Sequence, residues 1–138
     1  MRKAYILIFI LSILACQVRI GDWKALTSTL YINQVVMHNN HIICATTGGI
    51  LVVDINSKEE TTLTTIEGLK SVNLKAISTD HIGQTWIGGA PPYGFIQIYD
   101  LQKMEAIDVF DYGVTEIYDF VILDSLAFSL YREGQDVG

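Results

Sequence analysis

"QVVMHNNHIICATTGGILVVDINSKEETTLTT", residues 34–65, decides the fold. Its β-branched and aliphatic residues fall into short runs: QVVMH (34–38), HIICAT (41–46), ILVVDI (50–55) and EETTLTT (59–65). Asn39-Asn40, Gly48-Gly49 and NSK (56–58) separate them. Short runs of strand formers punctuated by turn formers read as an antiparallel meander. Asn tolerates positive φ, so Asn39-Asn40 predicts a two-residue hairpin turn. IICA and ILVV are apolar almost without interruption, which suits a sheet covered on both faces.

The same order recurs downstream. LKAIST (74–79), QTWIGG (84–89), GFIQIYD (94–100) and MEAIDVF (104–110) repeat the four runs, and IYDFVIL (117–123) with LAFSLY (126–131) begins a third set. Met37 precedes Ile77 by 40 residues, Ile77 precedes Val121 by 44, and Asp54 precedes Asp100 by 46. A four-strand unit at this period describes a β-propeller blade, since one twisted sheet buries both faces only by stacking against neighbours. The expected fold is all-β. A first blade spans 34–65, a second 74–110 and a partial third 117–138, with an N-terminal closing strand at 23–30, all within an incomplete propeller over 21–138. Propellers have about four to eight blades, so the sequence reads as a fragment of a larger ring. The other reading is a ring assembled from several chains.

On these residues a resemblance follows. "TTIEGLKSVNLKAISTDHIGQTWIGG" (64–89) resembles the repeat of two-component regulator propellers, with Gly68, Leu69, Asn73, Asp80, Gly83, Trp86 and Gly88 in the positions that carry that pattern. ATTGGILVVD (45–54) resembles the end of such a repeat, and the third set has Ala127-Phe128 where the Trp would stand. The resemblance implies an extracytoplasmic propeller, either the sensor region of a hybrid histidine kinase or a secreted Bacteroidetes-type surface protein. It implies structural roles for the seven residues. Asp80 and Gly83 shape the first turn of the second blade, and Trp86 packs between blades with its indole N–H on one partner.

The N-terminus supplies the compartment. Arg2 and Lys3 precede an apolar run from Ala4 to Cys16, broken only by Ser12. Thirteen residues fall short of the roughly 20 that a spanning helix needs, so residues 1–15 read as a secretory signal peptide. "ILAC" also resembles a lipobox, which makes Cys16 a candidate lipidation site. Removing residues 1–15 takes two of nine basic residues and none of the fifteen acidic ones, leaving a formal charge of −8. That field disfavours nucleic acid as a partner. Cys44 reads as a small buried hydrophobe.

Candidate chemistry is sparse. His38 and His41 flank the Asn39-Asn40 turn without an evident third metal ligand, and His81 sits at the Asp80 turn. Asp54 and Asp100 end equivalent strands and read as turn residues. Gly48-Gly49 lacks the Lys and helix of a phosphate loop. The candidate binding element is APPYG (90–94), where Pro91 and Pro92 stiffen a loop that presents Tyr93. The expected function is a non-catalytic, extracytoplasmic recognition module, without cofactor or metal, for a protein or glycan ligand. Membrane contact is expected only through a lipid anchor or a C-terminal segment outside these residues. The alternative is the N-terminal part of a secreted propeller hydrolase or lyase with catalytic residues in other blades.

Overall fold

A computed structural model describes residues 26–124 and 126–134. The signal peptide, Cys16 and residues 23–25 of the expected closing strand lie outside them. Ten strands and one 3-10 turn make up the regular structure of the described residues. Sheet 1 is the meander β1 (Ile32–His38), β2 (His41–Thr46), β3 (Gly49–Asp54) and β4 (Glu60–Leu63). Sheet 2 is the meander β5 (Leu74–Thr79), β6 (Thr85–Gly89), β7 (Ile96–Asp100) and β8 (Glu105–Phe110). Sheet 3 has two strands, β9 (Val114–Leu123) and β10 (Leu126–Glu133). All neighbouring strands are antiparallel. The expectation of an all-β chain of repeated antiparallel sheets therefore holds, in sheets of four, four and two strands.

Local chemistry sets the turns. Asn39 and Asn40 take φ of 44° and 66° between β1 and β2, a pair of left-handed residues that matches strand twist. Thr46 closes the next turn, its Oγ1 donating to the Gly49 carbonyl at 2.8 Å and accepting from the Gly48 N–H at 3.0 Å. Gly49 sits at φ 119°, where a Cβ would strike the Leu63 carbonyl oxygen. Asp54 Oδ1 accepts from the N–H groups of Asn56 and Ser57, and Asp100 Oδ1 accepts from Gln102 and Lys103. The two aspartates are thus equivalent turn formers, as their spacing predicts.

Most strand limits differ from the sequence reading by one to three residues. β4 stops at Leu63 because Thr64 and Glu67 form a capping box, in which Glu67 accepts from the Thr64 N–H and Thr64 Oγ1 accepts from Ile66. β9 begins at Val114, three residues early, because bulges let Val114 and Glu116 pair with Glu133 and Arg132. Residues 26–31 carry no strand, so the described part of the expected 23–30 strand is irregular. Its Ser28 backbone nevertheless lies against Gly48, where a side chain would have no room.

The sheets pack face on face. Ile43, Ala45, Ile50 and Leu63 of sheet 1 meet Leu74, Ile77, Ile87 and Tyr99 of sheet 2, and Phe95 just before β7, in one buried cluster. Ala76 and Ile96 of sheet 2 meet Ile117 and Phe120 of sheet 3 in a second. Each fully buried aliphatic side chain contributes about 1.5–3 kcal/mol. The first strands of the three sheets, β1, β5 and β9, neighbour one another in that order. Asn33 Nδ2 on β1 donates to the Leu74 carbonyl on β5 at 2.6 Å. Gln34 reaches both β5 and β9, its Oε1 accepting from the Ile77 N–H and its Nε2 donating to Asp119 Oδ1, each at 2.8 Å. Among the described residues the stack is open at both ends, with Val35 and Met37 exposed on sheet 1 and Val121, Phe128 and Leu130 exposed on sheet 3.

Candidate functional site

Antiparallel connectivity sorts the candidate residues to two ends of the sheets. The first turn of sheet 2 holds Asp80 and Gly83. Asp80 Oδ1 accepts from the N–H of Ile82 at 3.1 Å and of Gln84 at 2.8 Å, and Oδ2 accepts from the Trp86 indole N–H at 3.2 Å. Gly83 turns back at φ 88° and donates to the Asp80 carbonyl. Trp86 meets Phe120 of sheet 3 edge to face, with ring centroids 6.2 Å apart. Gly88 lies where a Cβ would sit 2.8 Å from both the Ala76 Cβ and the Ile117 side chain. These residues spend their polar atoms on the fold itself and offer no free chemistry.

The histidines lie at the same end. His41 Nε2 stands 3.5 Å from Asp54 Oδ2, and His38 Nε2 bonds the Asn39 side chain at 2.7 Å. Among the described residues no three His, Cys, Asp or Glu side chains could share a metal ion. Cys44 is buried, which pushes its thiol pKa up and away from reactivity.

The opposite end carries the candidate site. Gly68 ends the 3-10 turn in the left-handed region at φ 92°, and its carbonyl accepts from Gln97 Nε2 at 2.8 Å. Gln97 Oε1 in turn accepts from the Lys70 N–H at 2.9 Å, so a buried amide holds both sides of the 68–70 corner. Leu69, between them, is buried in the core of sheets 1 and 2. Asn73 ties this corner to the proline loop: its carbonyl accepts from the Ala90 N–H at 3.0 Å and its Nδ2 donates to the Pro91 carbonyl at 3.1 Å. Gly94 donates to the Val114 carbonyl, and its missing side chain lets the loop lie against the Glu116 backbone. The Pro91–Pro92 peptide is cis. Tyr93, at the tip, is 81% exposed.

Beneath Tyr93 runs an open groove of about 770 Å³, walled by Lys70, Asn73, Pro92, Phe95, Asp111 and Thr115. Lys70 Nζ donates to Asp111 Oδ2 at 2.7 Å and stands 5.7 Å from the centre of the Phe95 ring. That ammonium, with a bond from the Gly113 N–H, holds the Asp111 carboxyl below the usual range. Lys70 and Asp111 are 41 residues apart in sequence, so no local pattern could have paired them. The arrangement brings an exposed phenol, the Lys70–Asp111 ion pair and the Asn73 side chain to one groove.

Comparison with protein-family models and with curated proteins finds no match.

Proposed function

We propose that this chain is part of a β-propeller that works outside the cytoplasm as a recognition module without chemistry of its own. Its contact surface is the end carrying Lys70, Asn73, Tyr93 and Asp111. The observation that carries the propeller reading is the Gln34 junction. Gln34 joins the first strands of three successive sheets, which neighbour one another as the inner strands of blades around an axis would. The two-component regulator repeat rests on residues 64–89, and the exported location rests on residues 1–16. The contact surface follows from Tyr93. An amphipathic ring on a stiff loop gives contact area at little entropic cost, and its face suits a sugar ring or a peptide side chain.

The test is binding of the exported protein to arrayed oligosaccharides and extracellular proteins. At least one saturable ligand is expected, with an affinity that falls about tenfold in Tyr93→Ala, the size of a modest hot spot. His38→Ala, at the other end, leaves that affinity unchanged. Turnover of an arrayed glycan or peptide would overturn the non-enzymatic reading.

A further inference from the structure

Sheets 1 and 2 part from each other at the end that carries the histidines. Sheet 1 faces sheet 2 in successive cross-strand rows. The row Ala45, Ile50 and Leu63 is fully buried. The next row outward is Ile43, Val52 and Thr61, and the last is His41 with Asp54. Opposite these outer rows stand Leu101 and Met104 of the β7–β8 turn, and a slot of about 290 Å³ lies between the two walls. Asp100 holds that turn in place, its Oδ1 accepting from the N–H groups of Gln102 and Lys103. Both walls belong to the two four-stranded sheets and their turns.

The rim of the slot calls for a hydrogen-bond donor. His41 Nδ1 lies 3.0 Å from the Asn39 carbonyl oxygen, which only accepts, so Nδ1 carries the hydrogen. In the neutral ring Nε2 is then an acceptor. It faces a second acceptor, Asp54 Oδ2, at 3.5 Å. The N–H groups of Ser57 and Asn56 bond the other carboxylate oxygen and hold the Asp54 carboxyl below its usual range, so this side of the rim is anionic. A group that satisfies both acceptors and the charge is an ammonium, which has N–H bonds to spare and a positive charge for the carboxylate. Water can bridge the pair too, but it leaves the apolar wall of Ile43 and Val52 wet. The slot has about twice the ~150 Å³ that holds benzene, which is room for one ring on a short chain.

We propose that this slot binds a small primary amine whose apolar body is about the size of one ring. The body lies on Ile43 and Val52 and against Leu101, and the ammonium sits between His41 Nε2 and Asp54 Oδ2. The site is at the opposite end of the sheets from Tyr93 and does not rest on the recognition reading of that surface.

The probe is 2-phenylethylamine, titrated into the whole protein with labelled methyl groups at pH 8, where free imidazole is neutral and an alkylamine is charged. Saturable NMR shifts are expected at the methyls of Ile43, Val52 and Leu101, with a dissociation constant of about a millimolar, modest for nine or so non-hydrogen atoms. 3-Phenylpropionate has a similar size and the opposite charge, and is expected to bind at least about tenfold more weakly. Asp54→Asn keeps an oxygen for the turn, removes the charge and is expected to weaken the amine about tenfold. Thr61→Trp, at an exposed strand position, is expected to block the slot and abolish binding. Unshifted signals from Ile117 and Phe120, in the other core cluster, show that the variants are folded. No saturable shift at the slot methyls, equal binding of the two probes, or undiminished binding of the amine by folded Asp54→Asn would each overturn the proposal.

Discussion

Gln34 on β1 donates a 2.8 Å hydrogen bond to Asp119 on β9, 85 residues along the chain, while accepting one from the Ile77 N–H on β5 between them. One side chain thus touches the first strand of every sheet. Face packing alone would leave the sheets free to slide along their strand direction, because apolar contacts are non-directional. Two directional bonds from one amide fix the three first strands in height as well as order.

Gln34→Met keeps the length and removes both bonds. The Ile77 N–H is then left without an acceptor, which costs about 1–3 kcal/mol. Equilibrium urea unfolding is expected to show that loss, and a change below about 0.5 kcal/mol, the usual surface value, would show that the junction is not structural.

Asp80 accepts three bonds, two from backbone and one from the Trp86 indole. Asp80→Ala is expected to cost about 1–3 kcal/mol, most of it from stranded donors. Asp80→Asn can keep the Oδ1 bonds but turns an NH₂ toward the indole, so it falls between wild type and alanine. Denaturant unfolding monitored by far-ultraviolet circular dichroism ranks the three.

The glycines give a ranked series. Gly49→Ala drives a Cβ into the Leu63 carbonyl oxygen at a backbone angle of φ 119°. Gly88→Ala presses on the Ala76 Cβ and the Ile117 side chain at 2.8 Å, an overpacking of about 1–3 kcal/mol. Gly113→Ala meets no neighbour within 4 Å and bears only the strain of φ 70°, about 1 kcal/mol. Thermal unfolding is expected to place Gly49 worst and Gly113 mildest.

Acid stability follows from the turn aspartates. Backbone bonds from Ser57 and Asn56 lower the pKa of Asp54, and the Lys103 side chain lowers that of Asp100. The Lys70 side chain does the same for Asp111. Each carboxylate is more easily kept charged when folded. Its contribution is therefore fully present above the ordinary value of 3.8 and is lost as pH falls through the lower native value. Titration by NMR is expected to show all three below 3.8, with stability flat from pH 7 to about 5 and falling below 4. All three in the ordinary range would remove this explanation.

Much of the fold was legible because the signals were local. HIICAT and LKAIST match β2 and β5 residue for residue, since Asn-Asn, Gly-Gly and Asp-Gly chemistry bounds them. The Thr64–Glu67 capping box was equally legible, as T-x-x-E, yet the strand reading ran through it to Thr65. What stayed hidden was long-range. Nothing near Gln34 marks it as a bridge to Asp119, and Gln97 looks like an outward strand residue until its amide is seen holding Gly68 and Lys70. Glu116, buried with Lys75 and Arg132 on either side, likewise depends on partners 41 and 16 residues away. At the candidate site the loop and Tyr93 were readable from APPYG, whereas the ion pair beneath them was not.

The most direct measurement is a nuclear Overhauser experiment on uniformly labelled protein, reading contacts from the Gln34 side-chain amide. Cross-peaks to the Ile77 N–H and to protons of Asp119 and Phe120 are predicted, because the Gln34 amide bridges β1, β5 and β9. Contacts to Ile77 alone, with none to β9, would contradict that bridge and with it the propeller reading.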